Sequence, residues 1–294
     1  YDLIAPLAGT RDDVLLGIGD DGALLAPPPG EVLVVVADTL VEGRHFPADM
    51  AAADIGWRAA AVNLSDIAAM GATPRWATLA LTLPSVDEVW LRSFVGGLVD
   101  ALGLGKVALV GGDTTRGPLT ITLQVIGSVP PELALTRNGA RPGDQVFVSG
   151  TLGDAAGGLG AWAIGETEGP TTALVQRFRR PTPRLALGRE LRGLASACID
   201  VSDGLLADLG HLARASRYGI EVRADRLPLS PALRSTRTPA ECLRLAATGG
   251  DDYELAFTVP GAKLDALRER CAGLDTPVTC IGEVMRTGAV ELLD

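Results

Sequence analysis

The 294-residue chain has few cysteines and histidines, carries no membrane-length apolar run, and holds more acid than base. Its four cysteines, Cys198, Cys242, Cys271 and Cys280, form no C-x-x-C pair and have no histidine at zinc spacing. A disulfide framework and a structural zinc site are therefore not expected, and the thiols read as reduced core residues. The longest apolar stretches, Val32 to Ala37 and Leu79 to Leu83, are far shorter than the ~18 residues of a membrane span. Tyr1-Asp2-Leu3 is not followed by a basic and then apolar leader, so the expectation is a cytoplasmic protein. With 26 Lys and Arg against 36 Asp and Glu, the net charge of −10 argues against a nucleic-acid partner, which needs cationic side chains to neutralise phosphates. No Walker sequence occurs, since Gly105-Lys106 is followed by Val107 rather than a hydroxyl residue. Protein-kinase signatures, a Gly-x-Ser-x-Gly elbow and Ser-His-Asp spacing are missing too.

Hydrophobic residues make up 47% of the chain, enough to bury a full core, and the length suggests two domains. Short β-branched or Leu-rich runs at Val32 to Val36, Trp76 to Leu83, Val107 to Val110 and Leu119 to Ile126 read as strands. Between them, Asp54 to Met70 and Asp87 to Leu104 repeat apolar residues at helical steps, among them Ile55, Ala59 and Val62. Pro130-Pro131 and Arg137-Asn138-Gly139 interrupt this pattern, so domains of 1–139 and 140–294 are expected. The second half restarts at a strand, Gln145 to Ser149, and mixes further strands with helices such as Gly204 to Ser216. An α+β protein with helix-covered sheets follows.

Six short acidic segments stand out against the modest charge: Gly19-Asp20-Asp21, Asp38-Thr39, Ser65-Asp66, Gly112-Asp113, Asp200-Val201-Ser202-Asp203 and Gly250-Asp251-Asp252. Carboxylates in tight turns suit hard cations, and Mg²⁺ lets an acidic protein hold phosphate. Gly17 to Gly22 matches G-x-G-x-x-G, but Pro27-Pro28-Pro29 forbids the helix a dinucleotide site requires, leaving an acidic turn. Asp38 is expected at the end of the strand Val32 to Ala37, either in a site or as a turn residue. Asn63 and Asp66 share a helix face, where a buried polar pair would need a partner such as a metal ion or its water. Gly111 to Gly117 reads as a strand running into a phosphate-approaching Gly pair, or as a plain hairpin turn. Asp203 either belongs to the acidic set or caps the helix that follows. His45, beside Arg44, is an even candidate for ligand contact; His211 reads as an ordinary helix residue. Trp57, Trp76, Trp90 and Trp162 read as packing residues.

These motifs, in this order, resemble the thiamine-monophosphate kinase family, within the superfamily that includes aminoimidazole ribonucleotide synthetase. The resemblance rests on Gly17-Ile18-Gly19-Asp20-Asp21, Asp38-Thr39-Leu40-Val41, Ala61 to Ala72, Gly111 to Gly117, Leu135-Thr136-Arg137, Asp200 to Leu205 and Gly249 to Leu255. It implies a two-domain aminoimidazole ribonucleotide synthetase-like fold with mixed or antiparallel sheets, and ATP-dependent phosphorylation of thiamine monophosphate to thiamine diphosphate. By the same resemblance, Asp21, Asp38, Asp66, Asp113, Asp200 and Asp203 hold several Mg²⁺ ions, with Asp113 and Asp203 placed at the reaction. Gly112, Asp113, Arg137 and Ser202 contact the nucleotide, and His45 and Asp251 the thiamine monophosphate. A homodimer through the first domain's sheet, with each site between domains, is also implied.

The sequence departs from the family in three places. Val36-Ala37 precede Asp38 where hydroxyl residues are familiar, position 251 is Asp where Glu is familiar, and the familiar aromatic tail would lie beyond Asp294, so an aromatic wall for the thiamine ring is expected either there or from elsewhere. Two alternatives stay open: a non-catalytic nucleotide or thiamine-phosphate sensor, and another ATP-dependent synthetase of the superfamily. Selenophosphate synthetase expects an early Cys, whereas the first here is Cys198; the hydrogenase-maturation relative expects a C-terminal Cys, whereas the chain ends Leu293-Asp294.

Overall fold

The computed structural model describes residues 11–294, which fall into two compact units: the first reaches Glu132, and the second takes Leu133–Asp294 together with the short segment Ala68–Gly71. In the first unit, a two-stranded hairpin, β1 (Val14–Leu16) and β2 (Leu24–Leu25), precedes β3 (Val32–Val41), α1 (Ala52–Ala69), β4 (Thr73–Leu83), α2 (Glu88–Gly103), β5 (Ala108–Arg116) and β6 (Thr120–Val129). The sheet runs β3-β6-β4-β5, antiparallel except for the parallel β4–β5 pair. Alternation sends Ile121, Leu123 and Val125 of β6 to one fully buried face. The helices bring Leu64, Ile67, Phe94 and Leu98, all buried, and a Cβ on Gly127 of β6 would meet the Ile67 side chain at 3.1 Å. Helices α1 and α2 cross at two glycines, where a Cβ on Gly56 would lie 2.0 Å from the Phe94 carbonyl oxygen and one on Gly97 would lie 1.8 Å from that of Ala53. The opposite sheet face is open at β3, where Leu33 and Val35 are about half exposed.

The second unit comprises β7 (Gln145–Ser149), α3 (Asp154–Ala163), α4 (Thr172–Arg179), α5 (Leu185–Glu190), β8 (Ala197–Asp200), α6 (Leu205–Ser216), β9 (Gly219–Arg223), α7 (Pro231–Thr236), α8 (Pro239–Thr248), β10 (Leu255–Val259), α9 (Leu264–Cys271), β11 (Val278–Met285) and β12 (Val290–Leu293). Its six strands order as β12-β9-β11-β7-β10-β8, and only β12–β9 is parallel. Val146, Val148, Ile199 and Ala256 from the sheet pack with Leu205, Leu209 and Leu212 of α6 in one core. A smaller cluster joins Leu174, Leu233, Cys242 and Leu245 from α4, α7 and α8. The expected α+β architecture of helix-covered, largely antiparallel sheets is what the chain adopts. Of the tryptophans, Trp76 is fully buried and the other three are half-buried. Cys198 and Cys242 are buried, whereas Cys271 and Cys280 are partly exposed, and all four are free.

Candidate active site

The Gly17 to Gly22 segment is the turn of the β1–β2 hairpin, with Asp20 and Asp21 both exposed and the Asp21 amide donating to Asp20 Oδ1 at 2.8 Å. Asp38 does not end its strand. Ten register pairs with β6 carry β3 through Thr39 and Leu40 to Val41, so tertiary pairing overrides the turn character of an Asp-Thr step. Asn63 of α1 accepts the Asp38 amide through Oδ1 at 3.1 Å and donates Nδ2 to the Ala59 carbonyl at 3.0 Å. The partner expected from a metal ion for Asn63 is thus supplied by protein, which leaves half-buried Asp66, one helical turn on, as the carboxylate of that face. Burial pushes the Asp38 carboxyl above the usual carboxylate range, and the nearby His45 works against it. The Val41 amide donates to His45 Nδ1 at 3.0 Å, which puts the proton of the neutral ring on Nε2 and leaves that edge as a donor.

Gly111 to Arg116 forms neither a phosphate loop after a strand nor a hairpin turn; it is the second half of β5. Gly112 lies there at φ +153°, and a Cβ would sit 1.9 Å from the Leu79 carbonyl oxygen of β4. Only glycine permits that approach, and the strand stays paired through the Gly pair for this reason. Ile18, Leu79, Leu109 and Gly111 to Thr114 line a small pocket with exposed Asp113 at its edge. The Thr114 amide donates to Asp113 Oδ1 at 2.8 Å.

Strand register separates the two sheet carboxylates. Asp38 stands in one row with Leu123, Leu79 and Gly112, whereas Asp113 stands in the next row with Ala80, Thr122 and Thr39. They occupy opposite edge strands, about 14 Å apart at the ordinary interstrand spacing, and adjacent rows point to opposite faces. A shared Mg²⁺ would need their oxygens within about 4 Å of each other. Within one chain, Asp38 and Asp113 do not meet at one ion.

In the second unit, two acidic segments are bonded into a single assembly. The Val201 amide donates to the Glu254 carbonyl at 2.8 Å, the Tyr253 amide to the Val201 carbonyl at 2.8 Å, and the Asp251 amide to the Ser202 carbonyl at 2.9 Å. Asp200, Ser202, Asp203 and Asp251 are brought together by these contacts. Asp251 and Tyr253 both adopt left-handed backbone, at φ +70° and +50°, and the Tyr253 hydroxyl donates to Asp251 Oδ1 at 3.2 Å. Non-glycine residues held there carry strain of about 1–3 kcal/mol each, a cost that clusters at functional positions. Of Arg137, an exposed residue, the backbone carbonyl accepts the Ser216 hydroxyl at 3.2 Å.

Three supporting residues went unassigned in the sequence. Gly204 caps α6 with no side-chain bond, so Asp203 is not the cap; instead Asp208, in the first turn, accepts the amides of Ser202, Asp203 and Gly204 on one oxygen. Asp252 accepts the Gly153 and Ala155 amides at the start of α3, at 2.6 and 3.2 Å. Glu254, fully buried, accepts the Ser149 hydroxyl at 2.5 Å, Arg177 Nη2 at 2.7 Å and Arg184 Nε at 2.6 Å. An Asp in a helix's first turn, where the N-cap lacks an oxygen side chain, was the one signal available for Asp208. His211 is exposed and bonded through Nδ1 to Arg214.

Burial pushes Asp208 up to about 6 and Asp252 up to about 7. For Asp252, the two amides and Arg177 oppose this rise. A carboxyl raised on folding binds a proton more readily when native, so its contribution to stability is present below pH ~4 and is lost as pH rises toward 7. We expect Asp252→Asn to flatten the decline in stability between pH 4 and 7, measured by urea denaturation at a series of pH values. An unchanged slope would show that Asp252 does not titrate in that window.

Comparison with known proteins follows the same two-part division. AIR synthase related protein, N-terminal domain, matches residues 19–129, and AIR synthase related protein, C-terminal domain, matches 141–294. A thiamine-monophosphate kinase of Escherichia coli K12 is 50% identical over 94% of this chain and 86% of its own length. The chain belongs to the thiamine-monophosphate kinase family. A thiamine-monophosphate kinase of Bacillus subtilis is 36% identical over 96% of this chain and 89% of its own. Among solved structures, the thiamine-monophosphate kinase of Stenotrophomonas maltophilia is 48% identical with a TM-score of 0.94, covering 99% of this chain and 94% of that one. AaThiL complexed with AMPPCP and TMP is 35% identical with a TM-score of 0.82, over 99% and 91%. Escherichia coli HypE, a hydrogenase maturation protein, is 22% identical and shares the fold.

Proposed function

We infer that this chain phosphorylates thiamine monophosphate to thiamine diphosphate with ATP as donor. The carrying observation is its alignment over 99% of its length with a structure that holds an ATP analogue and TMP together. The acceptor is already an anionic phosphate oxygen, so no strong general base is required, and the chief obstacle is repulsion between two phosphate groups.

We propose Asp21, Asp38, Asp66, Asp113, Asp200 and Asp203 as the carboxylates that hold Mg²⁺. The donor set fits, being all oxygen, with Asp21, Asp113 and Asp203 exposed to receive a hydrated hard cation. Bound Mg²⁺ would neutralise the phosphates and align attacking and leaving oxygens. Gly112, whose Cβ space is taken by the Leu79 carbonyl, would meet the nucleotide through its backbone; Ser202 offers its hydroxyl, and Arg137 a guanidinium, to the nucleotide. His45, with its Nε2 proton, and Asp251, held by Tyr253, would meet the thiamine monophosphate. Loss of one methylene from the familiar Glu at 251 is met by a strained backbone that sets where the carboxylate sits.

A homodimer through the sheet of the first unit is also proposed. Half-exposed Leu33 and Val35 on its open face support this, as does the separation of Asp38 and Asp113, which a partner's edge strand could close. Among the described residues no helix is long and apolar enough to cross a membrane. A cytoplasmic enzyme without a nucleic-acid partner is proposed from the net charge of −10 and the biosynthetic reaction.

An acceptor panel tests this reading. ADP release coupled to product detection should favour thiamine monophosphate over thiamine by at least ~10³ in kcat/KM, because a site built around an acceptor phosphate leaves charged groups unpaired without it. Tight binding of ATP and thiamine monophosphate with no product would instead establish a sensor. Sedimentation of the same preparation should give twice the chain mass.

A further inference from the structure

Three consecutive backbone N–H groups that point to one spot form an anion-binding concavity. Ser202, Asp203 and Gly204 make such a concavity ahead of α6, and the Asp208 carboxylate fills it. Its Oδ2 accepts the three amides at 3.0, 3.0 and 3.1 Å. Asp208 is 3% exposed, so this bonding is not shared with solvent. The carbonyl side of the same loop is fixed independently, by the Tyr253 and Asp251 amides on Val201 and Ser202. Backbone held from both sides leaves the Ser202 and Asp203 side chains as the groups the loop presents.

We propose that Asp208 is a positioning residue for phosphoryl transfer: it occupies the amide nest so that no phosphate can, and holds the Ser202 hydroxyl and Asp203 carboxylate in the orientation that receives Mg-nucleotide. The assignment rests on the nucleotide and metal roles proposed above for Ser202 and Asp203. Asp208 touches neither substrate nor ion; it acts through three backbone bonds. The Asp251 side of the loop lies across the Ser202 carbonyl from this nest, so the nucleotide constants are the ones that depend on Asp208, and those of the thiamine monophosphate depend on it less.

Two variants and two readouts test this. Asp208→Ala should lower kcat about 10–100-fold and raise the half-saturating Mg²⁺ and the KM for ATP, with the KM for thiamine monophosphate within about 3-fold, the size of effect typical of groups that orient ligands. Asp208→Asn keeps an acceptor oxygen for the amides and should recover most of the loss. Amide hydrogen exchange on the ligand-free protein supplies a readout independent of turnover: the Ser202–Gly204 amides should exchange at least about 10-fold faster in Asp208→Ala than in wild type, with Asp208→Asn between them. Wild-type turnover of thiamine monophosphate separates the two levels, since its absence defeats the functional reading while exchange still judges Asp208. Equal damage in the Asn and Ala variants with unchanged exchange would overturn the proposal and make Asp208 a metal ligand. Loss of activity with every Michaelis constant and the Mg²⁺ requirement unchanged would overturn it as well.

Discussion

Asp113→Asn is expected to lower turnover of thiamine monophosphate by at least ~10²–10³-fold while stability stays within about 0.5 kcal/mol of wild type. The two halves of that result come from different facts. Asp113 is exposed on an edge strand and bonded only locally, to the Thr114 amide, among the contacts the structure shows for its side chain, and an Asn oxygen can keep that bond. Removing its charge therefore costs the fold little. Its proposed role is electrostatic: two phosphate groups must approach each other, and each carboxylate lost from the cation-holding set leaves that repulsion less compensated. Michaelis constants and kcat with Mg-ATP, measured beside a urea curve, check both halves. Near-normal turnover would remove Asp113 from the metal set, and an unfolded variant would show that β5 needs the carboxylate for pairing.

Glu254→Ala should cost about 3–5 kcal/mol of stability, the scale for breaking a buried ion pair from one side. Glu254 has no exposed surface and is the common acceptor for Arg177, Arg184 and the Ser149 hydroxyl. Its loss would take from Arg177 and Arg184 the carboxylate that both bond. A Cβ at Gly150 would fall 2.1 Å from Glu254 Oε1, so the carboxylate also fills the space beside that turn. The same strand start follows the Asp251–Tyr253 segment, so activity should fall together with stability. Urea denaturation with linear extrapolation measures the change; a loss under 1 kcal/mol would mean that water replaces the carboxylate at both arginines.

The contrast between these two acids explains how much was legible in the chain. Helix α1 could be read because Ile55, Ala59 and Val62 recur on one face, and the core strands because they are short and β-branched. The order of acidic motifs sufficed to place the chain in its family. Part of what could not be read was set by pairing partners distant in sequence. Asp38-Thr39 and Gly111-Gly112 carry turn-like residues, yet β6 holds the first pair in a strand and a close approach to Leu79 holds the second. Helices α7 and α8 lay behind Ser230-Pro231 and Thr238-Pro239, where a cap followed by Pro signals a start that apolar periodicity passes over. Thr238 and Glu241 even complete a capping box. Asp208 and Glu254 gain their meaning only once segments about 5 to 105 positions apart have been bonded together. The motif acids were visible, and the residues that hold them in place were not.

Following ³¹P signals of the wild-type protein with ATP and thiamine monophosphate, in Mg²⁺ and then in excess EDTA, tests the cation-mediated transfer most directly. The expected result is stoichiometric growth of thiamine diphosphate and ADP with Mg²⁺ and none after chelation. Thiamine diphosphate forming at the same rate in EDTA, or ADP appearing with Mg²⁺ but without thiamine diphosphate, would contradict it.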